Sequence, residues 1–251
     1  LCGSGRTQSR VEGEKVTVKH SYFVGIDVGT SSTKPGLWRD DGCAVAETVA
    51  DYPVYRPRPS WAEMDALDWW RATCQTVQQA IAQSGIGPEE IAGVGVDGLS
   101  GAPVPVDVAG EPLCRVPIWQ DRRSQEEADR LKILPEASYL INLNPNPLDP
   151  AHSTSKVLWL ANRQPELFEA VYRFLPSSGF IVQKLTGEFT CDHTQAFDYH
   201  FFDARQARWD QKAADVIGVP LDKFPPLYQS CDIVGTITGP AAAATGRGGK
   251  R

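Results

Sequence analysis

The sequence predicts an α/β chain, a mixed sheet with flanking helices, and three observations carry that expectation. Phe23-Val24-Gly25-Ile26-Asp27-Val28 reads as a buried strand that ends in an acid, a glycine and four consecutive hydroxyl residues. Asp68-Trp69-Trp70 opens an amphipathic helix to about Ser84, with Trp69, Trp70, Cys74, Val77 and Ile81 at near-helical spacing. Ile91-Ala92-Gly93-Val94-Gly95-Val96-Asp97 then repeats the first pattern, a strand closing on an acid and a glycine.

The first strand runs into Gly29-Thr30-Ser31-Ser32-Thr33-Lys34. Gly29 permits the positive φ of a tight turn, and amides and hydroxyls from Thr30 to Thr33 can converge on an anion as a backbone nest does. Asp27 at the strand end is suited to a Mg²⁺ or its water shell, with Lys34 adding positive charge. Such a turn would hold a metal-bound polyphosphate; the alternative is a hairpin rich in Gly, Ser and Thr with no ligand. A Walker loop is excluded, because Gly-x-x-x-x-Gly-Lys-Ser/Thr is missing and Lys34-Pro35-Gly36-Leu37-Trp38-Arg39 reads as a second strand. Pro35 lacks a ladder donor, which leaves the pairing of that strand open. Asp40-Asp41-Gly42 supplies a hairpin turn and Cys43 to Val49 a third strand.

Tyr52 to Asp65 is a proline-rich connection that suits neither a helix nor a central strand. After the second acid-terminated strand come Gly98-Leu99-Ser100-Gly101, small residues that let a ligand approach the backbone. Val108 to Leu113 reads as a hairpin-like connection to Val116-Pro117-Ile118-Trp119-Gln120-Asp121-Arg122-Arg123. In an extended segment Trp119, Asp121 and Arg123 share one face. A flat ring, an acceptor and a donor fork suit a polyol; alternatively Trp119 is core and Asp121 with Arg123 is a structural ion pair. Helices are expected at Ser124 to Leu134, from Ser155, from Pro165 and from Phe180 to a glycine stop at Gly187. Lys156 is either a ligand contact or surface charge, and His152, His193 and His200 lack metal spacing.

Across 251 residues the net charge is −6 and 41% of residues are hydrophobic, which argues against a nucleic-acid or membrane-surface role since no basic stripe exists. No apolar run reaches the length of a membrane span. The six cysteines fall without any Cys-x-x-Cys pair, so a reducing cytoplasm is the expected location. Residues 1–20 are expected to be a disordered leader outside the fold, and 247–251 a tail.

The run Asp27-Val28-Gly29-Thr30-Ser31-Ser32-Thr33-Lys34 resembles the first phosphate loop of the FGGY family of carbohydrate kinases, of the actin-like, ribonuclease H-like superfamily. Trp119-x-Asp121-x-Arg123, Lys156-x-x-Trp159-Leu160 with Gln164-Pro165-Glu166, and Leu185-Thr186-Gly187 are similar to later signatures of the same family. The resemblance spans residues 21–246 and implies the first lobe of a two-lobed kinase with an actin-like ATPase fold. It implies ATP and Mg²⁺ held by Asp27, Gly29, Thr30, Ser31, Ser32, Thr33 and Lys34, with Asp27 on the metal. It also implies a sugar or polyol against Asp97, Ser100, Trp119, Asp121 and Arg123. In that family the catalytic aspartate lies in a Gly-Gly-x-Asp segment beyond the stretch resembling Val234 to Gly246, and no residue here takes its place. Half a cleft should hardly turn over, since phosphoryl transfer needs both walls. Gly98-Leu99-Ser100-Gly101 stands where glycerol kinases carry Arg-Glu and xylulokinases Gln-Met-His, and Val96-Asp97 followed by small and hydroxyl residues is closer to ribulokinase-like members, so the resemblance implies a ketopentose such as xylulose or ribulose. The rival readings are a kinase for glycerol or another polyol, and a catalytically dead sugar-binding module. Self-association through an exposed face between lobes is expected as well.

Overall fold

The computed structural model describes residues 20–246. The expected leader, apart from His20, and the tail 247–251 lie outside the described residues; His20 itself closes on Asp40 through its Nδ1, 2.8 Å from Oδ1.

In chain order the strands and helices are β1 (Tyr22–Val28), β2 (Ser32–Arg39), β3 (Ala44–Glu47), β4 (Ala50–Asp51), β5 (Glu63–Met64), α1 (Ala66–Ser84), β6 (Ile91–Gly98), β7 (Val104–Val106) and β8 (Val116–Pro117). There follow α2 (Gln125–Lys132), α3 (Ala137–Leu143), α4 (Ser153–Arg163), α5 (Pro165–Ala170), β9 (Arg173–Leu175) and α6 (Ser177–Thr186). The rest comprises β10 (Cys191–Asp192), α7 (His193–Ala196), β11 (Phe202–Asp203), β12 (Arg208–Trp209), α8 (Gln211–Ile217), β13 (Leu227–Tyr228) and α9 (Gly239–Ala244).

The main sheet is mixed, in the order β3-β2-β1-β6, with β4 also on β2. β1 and β2 form an antiparallel hairpin, whereas β1 and β6 run parallel and so need the long crossover that α1 provides. Asp65 caps α1 by accepting from the Leu67 N–H at 2.9 Å, and Gly85 ends the helix at φ 68°. Val24, Ile26, Val28 and Leu37 from one sheet face pack with Trp69, Val77 and Ile81 of α1 and Phe180, Ile181 and Leu185 of α6. Burying each such side chain contributes about 1.5–3 kcal/mol. A second core joins α4, α5 and α8 around an aromatic cluster in which Phe201 and Phe224 lie 4.6 Å apart.

Strand alternation leaves the other face of the sheet open. Phe23 and Trp38 are exposed on it, with Gly25, Gly36 and Gly95 in register across three strands. Pro35 is accommodated by the sheet edge. Its carbonyl accepts from the Thr48 N–H at 3.1 Å, so its nitrogen faces the same side, at the break between β3 and β4. The expected third strand, Cys43 to Val49, is therefore shorter, and the edge resumes as β4.

The hairpin expected between β7 and β8 forms only in part. Val106 bridges Pro112, but β7 pairs mainly with β9, and β8 leaves to pair with β5. Cys43, Cys74, Cys114, Cys191 and Cys231 are free thiols. Among the described residues, no helix is long and apolar enough to cross a membrane.

Candidate functional site

Register brings Lys34, Asp27 and Asp97 abreast on β2, β1 and β6, because Asp27 pairs with Lys34 on one side and Asp97 on the other. All three are exposed on the open sheet face. They line one end of a cavity of about 740 Å³ whose floor includes Gly25, Gly36 and Gly95. Adjacent in-register strands lie about 4.8 Å apart, so two carboxylates stand side by side. Their repulsion is relieved by a cation, and Lys34 supplies one only from the far side of Asp27. No group of three or more metal-ligating side chains occurs among the described residues. Mg²⁺ nevertheless fits, since it commonly takes one or two carboxylates and fills its shell with waters and phosphate oxygens.

The turn beside these acids departs from expectation in two ways. Gly29 does not take a positive φ. Its N–H donates to the Ser32 carbonyl at 3.0 Å, and a Cβ there would stand 3.1 Å from that oxygen, so glycine serves close approach rather than handedness. Gly29, Thr30 and Ser31 form the loop between β1 and β2. Ser32 and Thr33 already belong to β2 and are buried. The Thr33 hydroxyl turns to Tyr52 at 3.4 Å, while the Tyr52 hydroxyl donates to the Gly29 carbonyl at 2.7 Å. Burial pushes the Tyr52 phenol up to about 12, so it remains a neutral brace under the turn. Thr33 thus faces the core and not a ligand, as strand alternation requires.

Trp119, Asp121 and Arg123 do not share a face. The segment is a turn, closed by the Asp121 N–H donating to the Ile118 carbonyl at 2.8 Å, and this sends Trp119 outward and Asp121 inward. Asp121 is fully buried. Its Oδ2 accepts from the Ala62 N–H at 2.6 Å and from Arg123 Nη2 at 2.7 Å; its Oδ1 accepts from the Arg123 N–H and Nε, both at 2.9 Å. Arg123 also reaches Glu63 at 2.7 Å and lies 3.6 Å from the Trp61 ring centroid. The pair is a structural clamp between the proline-rich connection and α4.

Trp119 instead joins a separate cavity of about 320 Å³, lined by Leu99, Ser100, Gly101, Ala151, His152 and Asp198 as well. Its Nε1 donates to the Thr30 hydroxyl at 3.1 Å, so one hydrogen bond spans from this cavity to the turn beside Asp27. The loop that carries Ser100 is held from three sides. The Leu99 N–H donates to the Val28 carbonyl at 2.9 Å, and the Ser177 hydroxyl donates to the Leu99 carbonyl at 2.8 Å. Gln195 Nε2 donates to the Gly98 carbonyl, also at 2.8 Å. Gly101 sits at φ +70°, where a Cβ would lie 2.4 Å from the Ala151 carbonyl oxygen. Only glycine fits.

His152, Asp198 and His200 were not singled out by sequence as ligands of a site, and Lys156, read as a ligand contact or surface charge, is neither exposed nor aimed at this cavity. His152 Nδ1 lies 2.8 Å from Asp198 Oδ1, and Asp198 Oδ2 accepts from the Ser153 N–H at 2.7 Å, at the start of α4. Lys156 is buried, with Nζ donating to the carbonyls of Pro150 and Ala151. Burial lowers its ammonium to about 8, and it anchors the loop behind His152. His200 packs edge-on against His152 with ring centroids 5.6 Å apart. Burial, then the neighbouring His152, pushes His200 down to about 4, so it is neutral at pH 7. Spacing offers no signal for His152 and Asp198, which lie 46 residues apart.

The model of the FGGY family of carbohydrate kinases, N-terminal domain, matches residues 22–248. A glycerol kinase of Thermococcus onnurineus is 28% identical over 223 residues, covering 85% of this chain and 44% of the relative. A xylulose kinase of Escherichia coli is 27% identical over 224 residues, covering 89% of this chain and 46% of the relative. A solved structure, the xylulose kinase from Rhodospirillum rubrum, superposes with a TM-score of 0.84 at 26% identity over 90% of this chain and 46% of that one. The chain thus spans about half the length of the curated relatives it matches. Its sheet and helices are those of the N-terminal lobe of an actin-like ATPase fold, and the chain belongs to the FGGY family of carbohydrate kinases.

Proposed function

We propose that this chain forms the sugar-holding and phosphate-holding wall of an ATP-dependent kinase that phosphorylates a primary hydroxyl of a ketopentose, xylulose or ribulose. The observation that carries the reading is the Trp119 to Thr30 hydrogen bond, which sets the 320 Å³ cavity next to the turn after Asp27. A sugar in that cavity lays its C–H face on the exposed Trp119 ring and its hydroxyls toward Ser100 and His152. The phosphates of ATP lie along Thr30, Ser31 and Lys34, with Asp27 and Asp97 as the pair that would hold Mg²⁺. The metal would neutralise phosphate charge when bound. The chain's own residues orient the sugar and the phosphoryl group toward one another. Ser32 and Thr33 shape the turn from within, and Asp121 and Arg123 brace the wall from behind.

Turnover requires a proton acceptor for the attacking hydroxyl and a second wall that excludes water, so this segment alone binds without efficient transfer. The exposed Phe23 and Trp38 make the open sheet face the place for self-association. The five free thiols among the described residues fit work in a reducing cytoplasm. A kinase for glycerol or another polyol and a sugar-binding module without catalysis are the competing readings.

A thermal-shift screen against D-xylulose, D-ribulose, erythritol and glycerol, with and without MgATP, tests the proposal. A ketopentose at ten times its Kd should stabilise the fold by about 1.4 kcal/mol. A shift with glycerol alone would reassign the substrate, and no shift with any sugar or nucleotide would sink the reading.

A further inference from the structure

We infer that His152, oriented by Asp198, is the residue through which the cavity reads the sugar, by accepting a hydrogen bond from one hydroxyl. The inference rests on the sugar-wall reading above and names the specificity determinant of that site.

The argument begins with proton bookkeeping. His152 Nδ1 faces a carboxylate oxygen at 2.8 Å, so Nδ1 carries the hydrogen and donates it. The tautomer with its hydrogen on Nδ1 has its lone pair on Nε2, and among the described residues no hydrogen-bond partner meets that atom. Asp198 does not swing. Its second oxygen is fixed by the Ser153 N–H at 2.7 Å, and its side chain is 8% exposed. The loop beneath His152 is likewise fixed, because Lys156 donates to the carbonyls of Pro150 and Ala151. His200 blocks the ring from behind, edge-on.

The remaining lining is apolar or small: Leu99, Gly101, Ala151 and the Trp119 ring, with Ser100 as the other polar group. Such a cavity takes a molecule with one C–H face and hydroxyls along another edge, an open-chain polyol or ketose. An acceptor at Nε2 selects a hydroxyl that donates and disfavours a carbonyl or an epimer whose hydroxyl points elsewhere. Sites built around such a hydrogen bond discriminate strongly, because the wrong ligand leaves a desolvated polar atom unpaired. Asp198 acts through His152 and is a positioning residue.

D-Xylulose and D-ribulose differ only in the direction of the C3 hydroxyl, and calorimetric titration of this chain with both supplies the test. The wild-type chain is expected to separate the two epimers by on the order of 10-fold in Kd. His152→Leu should weaken the tighter epimer by a similar factor and bring the ratio close to one. His152→Gln, whose side-chain oxygen can still accept, should recover most of both, and it guards against a folding defect in the leucine variant. Asp198→Asn should also erode the ratio, and combined with His152→Leu it should add no further loss. An unchanged ratio in His152→Leu, with binding lost in Trp119→Ala, would overturn the role of His152 while leaving the sugar wall standing. Equal binding of both epimers by the wild-type chain would overturn it as well. If the wild-type chain binds neither, the sugar-wall reading fails for ketopentoses and takes this inference with it.

Discussion

Replacing Asp121 by alanine should cost stability, because the carboxylate belongs to a buried clamp. The substitution removes the acceptor for the Ala62 N–H and for three donors of Arg123, whose side chain is 5% exposed. Among the described residues Glu63 then remains as the one carboxylate on that guanidinium, itself stacked over Trp61. Breaking one partner of a buried pair typically costs about 3–5 kcal/mol, since the guanidinium stays out of water and keeps Glu63 alone of its two carboxylates. For a domain of this size about 1 kcal/mol moves Tm by roughly 2–4 °C, so a fall of roughly 6–20 °C is expected. Urea unfolding monitored by tryptophan emission gives the same quantity independently. Arg123→Met alone and the double variant complete a cycle, in which the double loss should be well below the sum of the singles. A change below about 1 kcal/mol in Asp121→Ala, together with abolished sugar binding, would refute the clamp and return Asp121 to the sugar pocket.

His200 makes the folded chain acid-sensitive. Its imidazole is held at about 4 when folded against 6.5 as the ordinary value, so between those two pH values the unfolded chain binds the extra proton. Stability should fall by about 3 kcal/mol as pH drops from 6.5 to 4, and His200→Gln should flatten that slope in pH-dependent denaturation. Lys156 acts in the alkaline range. Burial lowers it from 10.5 to about 8, so stability should rise with pH between those values relative to Lys156→Met, again by about 3 kcal/mol. Gly101→Ala should cost about 1–3 kcal/mol, from left-handed strain and the clash with the Ala151 carbonyl, and should narrow the cavity beside Trp119.

Much of the fold was legible because its signals are local. The strand at β1, the amphipathic stripe of α1 and the glycine after α6 each follow from neighbours within one element and stand where the pattern puts them, although β1 is buried on one face alone and leaves Phe23 exposed. Pro35 was harder, since its tolerance depends on where a different strand breaks. The site was read less fully for the same reason. Asp27 and Trp119 sit on their elements as the sequence suggested, whereas Asp97, expected against the sugar, stands beside Asp27 and outside the Trp119 cavity. Treating residues 119–123 as extended put Asp121 and Arg123 on the wrong side of a single turn. Thr33 followed the hydroxyl run in composition yet obeys strand alternation in space. His152 and Asp198 meet only because α4 and the segment after α7 pack together, a contact that no spacing rule anticipates.

Calorimetric titration of MgATP and of D-xylulose into three chains, wild type, Asp27→Asn and Trp119→Ala, tests the two-ended site most directly. The account predicts that Asp27→Asn weakens MgATP binding by on the order of 10-fold while leaving the sugar affinity unchanged, and that Trp119→Ala does the reverse. If Asp27→Asn leaves MgATP binding intact, or if both variants lose both ligands equally without loss of fold, the assignment of phosphate and sugar to opposite ends of the Thr30–Trp119 link is contradicted.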